Sequence, residues 1–157
     1  MILGNKLSNP VLFCIYAITF FFGITGYGFT QEKKYAADAV NQAAYTGNIE
    51  LIREILKTNP DRDARDAFGG AALHDAMFQK NIEVVLLLIE NGYDVNAIGP
   101  ANGYTPLHDA VMANNADAAK ILLKYNARRN IKGKDGLTPL EKAIKENKTG
   151  LIKLLSE

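Results

Sequence analysis

The stretch Gly69–Asn81, GGAALHDAMFQKN, is matched 34 residues later by Gly103–Asn115, GYTPLHDAVMANN. Both contain Leu-His-Asp-Ala, so two His-Asp pairs either build one chemical site or mark a repeating unit. The surrounding chain favours the repeat. Ala43, Ala76, Ala110 and Ala143 fall at intervals of 33, 34 and 33. Leu73, Leu107 and Leu140 keep the same phase, with Val40 in the first place, and Gly69, Gly103 and Gly136 stand just before them. Self-similarity at a fixed period of this length marks stacked supersecondary units. After each alanine comes a second apolar block, Ile49–Leu56, Ile82–Leu88, Ala118–Leu123 and Leu151–Leu155, with the i, i+3, i+4 spacing of amphipathic helices. The period therefore predicts an all-α solenoid of helix-turn-helix units, each with a face that only a neighbour covers.

Within a unit, Thr105 is placed to cap a helix whose first turn holds Pro106, because a hydroxyl accepts a bond from a free backbone N–H and proline needs no donor there. Thr138 and Pro139 repeat the device. Asn91-Gly92 ends a second helix, glycine being suited to the left-handed conformation of a helix stop. Asp94-Val95-Asn96 then leads outward to a hairpin-like loop. The loop from Asn96 to Gly103 is one residue longer than that from Asn130 to Gly136, which accounts for the 34-residue interval.

GYTPLHDA and GLTPLEKA, with the apolar blocks and Asn-Gly-Tyr-Asp-Val-Asn, resemble the ankyrin repeat, whose pattern is Gly-x-Thr-Pro-Leu-His-x-Ala followed by Leu-Leu-x-x-Gly-Ala-Asp-Val-Asn. The resemblance covers about Ala36 to Glu157, in units of about 36–66, 67–99, 100–133 and 134–157. The first unit departs from it with Asp38-Ala39-Val40-Asn41, and the last with Glu141 in the histidine position. End units with one face in water are expected to be atypical and more polar, and Lys142, Lys145 and Lys148 suit such a cap.

The resemblance implies that His74 and His108 are structural groups bonding neighbouring loops, so their loss is expected to destabilise the fold. It places Asp75 and Asp109 toward the concave groove, about 10 Å apart at ordinary helix-packing distance, where their loss is expected to cost little stability. The competing chemistry, a metal-dependent hydrolase, needs His74, Asp75, His108 and Asp109 to converge on one ion. The family's inward histidine argues against this, and no metal or other cofactor is expected. The sequence also holds no phosphate-binding Gly-rich loop, no H-E-x-x-H and no Gly-x-Ser-x-Gly. The expected function is a non-catalytic module binding another protein through the concave face and loop tips. The pattern puts Tyr45, Phe68, Phe78, Tyr104 and Met112 there, types enriched at interface hot spots. An alternative makes Phe68, Phe78 and Met112 core residues between units, leaving Tyr45 and Tyr104 as the surface residues. Ala101 and Asn102 lie at the tip of the longer loop beside Gly99-Pro100.

With 18 Lys and Arg against 17 Asp and Glu, no net field attracts nucleic acid, which is not expected as a partner. The first thirty residues differ from the rest. Lys6 is their only charge, and the apolar run Val11–Ile24 is followed by Gly26-Tyr27-Gly28. A charged start, a short apolar core and a small-x-small triplet describe a secretory signal peptide, with cleavage expected after Gly28 or Thr30. Read through to Phe29, the same run approaches the ~20 residues that span a bilayer and makes an uncleaved anchor. Residues 31–157 are exported in either case, secreted or periplasmic in the first and membrane-attached only in the second. Cys14, the sole cysteine, falls inside the leader.

Overall fold

The computed structural model describes residues 35–157, and the leader expected over residues 1–30 lies outside them. The described residues form eight helices and no strand. They pair as α1 (Ala39–Thr46) with α2 (Ile49–Leu56), α3 (Ala72–Ala76) with α4 (Ile82–Glu90), α5 (Pro106–Met112) with α6 (Ala116–Lys124), and α7 (Pro139–Lys145) with α8 (Thr149–Ser156). The inner helices α1, α3, α5 and α7 pack in a row, while α4, α6 and α8 form an outer row behind them. Ala43, Ala76, Ala110 and Ala143 are all buried where inner helices meet. A methyl side chain allows the close approach, and the fully buried Leu73 and Leu107 fill the space beside it.

Each outer helix but the last begins at an asparagine that recurs with the period. The side-chain oxygens of Asn48, Asn81 and Asn115 accept from the N–H groups of Leu51, Glu83 and Ala118 at 3.0, 3.0 and 3.1 Å, meeting donors that a helix start leaves free. Asn115 also donates to the carbonyls of Met77 and Gln79, at 3.0 and 2.6 Å, and so ties its unit to the one before. Gly92, at φ 84°, ends α4 in the left-handed conformation the sequence implied.

The inner helices start differently from one another. Thr138 and Glu141 cap α7 reciprocally: the Glu141 N–H donates to Oγ1 at 3.2 Å, and the Thr138 N–H donates to the carboxylate at 2.8 Å. At α5 the expected hydroxyl cap is replaced. Thr105 turns its hydroxyl to the imidazole of His108, with Oγ1 3.0 Å from Nδ1, because that nitrogen also takes the Thr105 N–H at 3.2 Å. Pro106 and Pro139 open their helices as expected.

Between the helix pairs, each loop closes as a hairpin through a pair of backbone bonds. In the longer-spanning bond of each pair, the N–H of Asp66 reaches the Gly70 carbonyl, that of Gly99 reaches Tyr104, and that of Gly133 reaches Leu137, at 2.9, 2.8 and 2.9 Å. The middle hairpin spans one residue more than the others, which absorbs the 34-residue interval without disturbing the helices.

Candidate functional site

Below the loop tips runs a polar ladder. His74 is buried, its Nδ1 accepting the Ala71 N–H at 3.1 Å while Nε2 lies 3.1 Å from the Tyr104 carbonyl in the next unit. His108 repeats the arrangement with the Thr105 N–H and the Leu137 carbonyl, at 3.2 and 3.1 Å. With Nδ1 occupied by a donor, the proton belongs on Nε2, which donates onward. Both rings are neutral in this role, and burial, the largest influence, holds both below the ordinary histidine range. Neither ring has a nitrogen left for a metal. Among the described residues no group of three or more His, Cys, Asp or Glu side chains is arranged to hold an ion, so His74, Asp75, His108 and Asp109 do not converge as a hydrolase centre would require.

Asn41 supplies the first rung. It lies 33 residues before His74, and its buried amide donates to the Gly70 carbonyl at 2.9 Å and to the Asp75 carboxylate at 3.1 Å. Asn41 stands where the motif has histidine. The available signal was chemical: an amide N–H can replace an imidazole N–H at the same phase.

Above the ladder the inner helices and loops enclose a groove of about 690 Å³. Tyr45, Phe68, Phe78 and Met112 line it and are exposed by 58, 85, 50 and 41%. Phe68, Phe78 and Met112 are therefore not core filler between units; the alternative that buried them is corrected. The Asp66 side chain shapes the tip carrying Phe68, its Oδ1 accepting from the N–H groups of Phe68 and Gly70 at 2.8 and 2.7 Å. The Gln79 amide donates to the Tyr45 carbonyl and links two walls. Ala101 and Asn102 reach the groove from the longer loop. Asn102 also accepts the Tyr104 N–H on Oδ1 at 2.9 Å and the Lys134 N–H on its carbonyl at 2.8 Å, so part of that tip is structural.

Tyr104 is the clear correction. Expected on the surface, it is 7% exposed. Its ring stacks on His108 with centroids 5.0 Å apart and planes within 6°. The ring occupies space that exists because residue 133 is glycine, where a Cβ would fall 2.5 Å from the ring. The Tyr104 hydroxyl donates to Asp135 at 2.7 Å, and the Lys142 ammonium bonds that hydroxyl and lies 3.3 Å from the same carboxylate. Lys142 is thus mostly covered, not a free cap residue. Asp135 is held near 2, chiefly by the Tyr104 hydroxyl bond.

The groove floor holds the two aspartates expected there. Asp75 and Asp109 are each raised from 3.8 to about 7, burial being the largest cause in both. The Asp66 charge raises Asp75 further, and the Asp75 charge raises Asp109. Asp109 is more enclosed than a groove position implies, at 6% exposure.

A family model described as ankyrin repeats in many copies matches residues 73–123, the span from Leu73 through α6. The chain is an ankyrin-repeat protein. Such repeats are protein–protein interaction modules. Among its ankyrin relatives, cyclin-dependent kinase inhibitor 2A of Monodelphis domestica is 24% identical over 126 residues, covering 80% of this chain and 73% of that protein. Cyclin-dependent kinase 4 inhibitor B of Rattus norvegicus is 27% identical over 113 residues, 72% of this chain and 86% of that one. Tyrosine-protein kinase HTK16 of Hydra vulgaris is 30% identical over 107 residues, which are 68% of this chain but only 14% of the kinase.

Proposed function

We propose that the protein is an exported, non-catalytic ankyrin module that binds another protein in the groove walled by Tyr45, Phe68, Phe78 and Met112. The observation that carries this reading is the collection of four large apolar side chains, Tyr45 and Met112 from two inner helices and Phe68 and Phe78 from two loops, around a single concavity while they remain open to solvent. Monomeric proteins seldom leave such groups contiguous and exposed without a use, and aromatic residues dominate interface energetics. The two inhibitors among the relatives act, by their names, on a kinase, which is another protein. Against catalysis stands the chemistry of the two histidines, whose ring nitrogens are occupied by backbone groups.

Partner capture by proximity labelling with the full chain, followed by affinity measurement, tests the groove. Tyr45→Ala and Phe78→Ala each lower affinity for the captured protein by about thirtyfold, a loss of ~2 kcal/mol, with the helical circular dichroism unchanged. Unchanged affinity in both folded variants rejects the groove. Export rests on the leader sequence and is tested by fusing residues 1–32 to a reporter active only outside the cytoplasm. Silence rejects export. A processed chain beginning at Phe29 or Gln31 supports a signal peptide, and an intact Met1 in the membrane fraction supports an anchor.

A further inference from the structure

The groove contains a nearly enclosed carboxylate that has no protein partner among the described residues and opens on the groove itself. Asp109 is 6% exposed and lines the concavity, yet among the described residues its side chain makes no hydrogen bond and no ion pair. Lys142 acts on it through space, but that ammonium is committed to the Tyr104 hydroxyl and to the Asp135 and Glu146 carboxylates. Among the described residues the other charged groups lining the groove are Asp38, Asp66 and Asp75, and none of those lining it is a lysine or arginine. A buried carboxylate without a partner is costly, and the cost is relieved by a cation held close by. Met112 follows Asp109 by one turn of the same helix, and Phe78 and Tyr45 line the groove from the two preceding units. The site therefore offers negative charge at its base and apolar, partly aromatic walls above.

We propose that this groove takes a lysine or arginine side chain of a partner protein, its charge seated between Asp75 and Asp109 and its stem laid along Phe78 and Met112. This rests on the groove being the partner-binding face and names what the partner presents there. Lysine and arginine fit because each carries its charge on an apolar stem that packs against nonpolar surface, and the aromatic faces attract the cation in addition. A divalent ion fits poorly, since both imidazoles are engaged with backbone and two aspartates alone leave most coordination positions to water.

The same geometry gives the binding a pH signature. Asp75 and Asp109 both ionise at about 7 in the empty groove, so a bound cation draws protons off them, and affinity rises as pH goes from 6 to 8. The facing groups on the preceding side are Asp38, Asp66 and His74, and those on the following side are His108, Asp135 and Lys142. Burial lowers both histidines below their ordinary range, Asp135 is held near 2, and Lys142 is held above its ordinary value. The two floor carboxyls are the groups whose charge changes.

The test uses two small probes of one shape, 2-phenylethylammonium chloride and 2-phenylethanol, titrated into the full chain and followed by nuclear magnetic resonance at Phe78, Ala110 and Met112. At pH 8 the ammonium binds about tenfold more tightly than the alcohol, the difference one extra charge interaction supplies. At pH 6 the preference falls to about threefold or less. Asp109→Asn abolishes the preference, and Asp109→Glu retains it. If both probes move the groove signals with equal affinity at pH 8, or if Asp109→Asn keeps the full preference, the cation assignment is overturned while the groove stands as an apolar docking face. If neither probe moves those signals, both readings fall.

Discussion

Replacing Asp109 by asparagine is expected to stabilise the protein, and by an amount that depends on pH. The Asp109 carboxyl ionises at 3.8 when unperturbed and at about 7 in the fold, raised first by burial and then by the Asp75 charge, with Lys142 acting in the opposite direction. Between those two values the folded chain keeps a proton that the unfolded chain releases. The stability this carboxyl contributes is complete below 3.8 and declines as pH rises through about 7, where the folded group is finally forced to ionise. At about 1.4 kcal/mol per pH unit, the interval amounts to an upper bound of about 4 kcal/mol. Part of it belongs to the repulsion shared with Asp75, and the open mouth of the groove lets water screen the rest, so an uncharged amide recovers about 2 kcal/mol. Urea denaturation of the wild type and Asp109→Asn at pH 4, 6 and 8 measures this directly. The curves differ little at pH 4, and the variant gains steadily toward pH 8. The histidines titrate in both proteins and cancel from the difference. A gap that does not widen with pH, or one that widens toward acid, refutes the assignment of a costly buried charge to Asp109.

His74→Ala and His108→Ala each leave a buried N–H, of Ala71 or Thr105, without its partner, while the Tyr104 and Leu137 carbonyls keep their hairpin bonds, so each costs about 1–3 kcal/mol in denaturation experiments. Because burial lowers both imidazoles, the unfolded chain takes up protons first as pH falls below 6.5; the resulting loss of stability toward acid flattens in either variant. Tyr104→Phe removes the hydroxyl shared by Asp135 and Lys142 and costs about 1 kcal/mol, and the Asp135 carboxyl resonance then titrates at higher pH. Gly133→Ala forces a methyl group to within 2.5 Å of the Tyr104 ring, and a melting temperature lowered by the ~1–3 kcal/mol typical of overpacking checks that contact.

The repeat itself was plain in the sequence because its signals are local. Each alanine, leucine and glycine is fixed by its own unit, and four in-phase copies leave little freedom in the fold. The groove was legible in part for the same reason: Tyr45, Phe68, Phe78 and Met112 project from positions whose direction follows from helix phase. Tyr104 was misplaced because its burial depends on residues about 30 positions further on. The bare backbone of Gly133 admits the ring, and Asp135 and Lys142 hold its hydroxyl. A pattern read one unit at a time assigns direction but not what the next unit lays over it. Asn41 was overlooked for the opposite reason, since its identity departs from the motif while its hydrogen-bonding capacity does not. The enclosure of Asp109 combines both effects, a position fixed by helix phase with a depth set by the walls on either side.

The ladder and the groove floor use adjacent residues to opposite ends. His74 and His108 each satisfy a backbone donor in their own unit and a carbonyl in the next, so a polar side chain at that phase strengthens the contact between units. One residue later the chain places Asp75 and Asp109, which the same burial penalises. Asp75 retains the Asn41 amide at 3.1 Å and a side-chain bond with Asp66, while Asp109 retains no hydrogen-bond partner among the described residues. An apolar or amide residue would serve the helix better at 109, since the neighbouring Ala110 and Val111 are wholly buried without strain on any polar group. The Asp109 carboxylate, kept deep in an exposed aromatic groove with no ion-pair partner among the described residues, is the charge that the proposed lysine or arginine of a partner would meet.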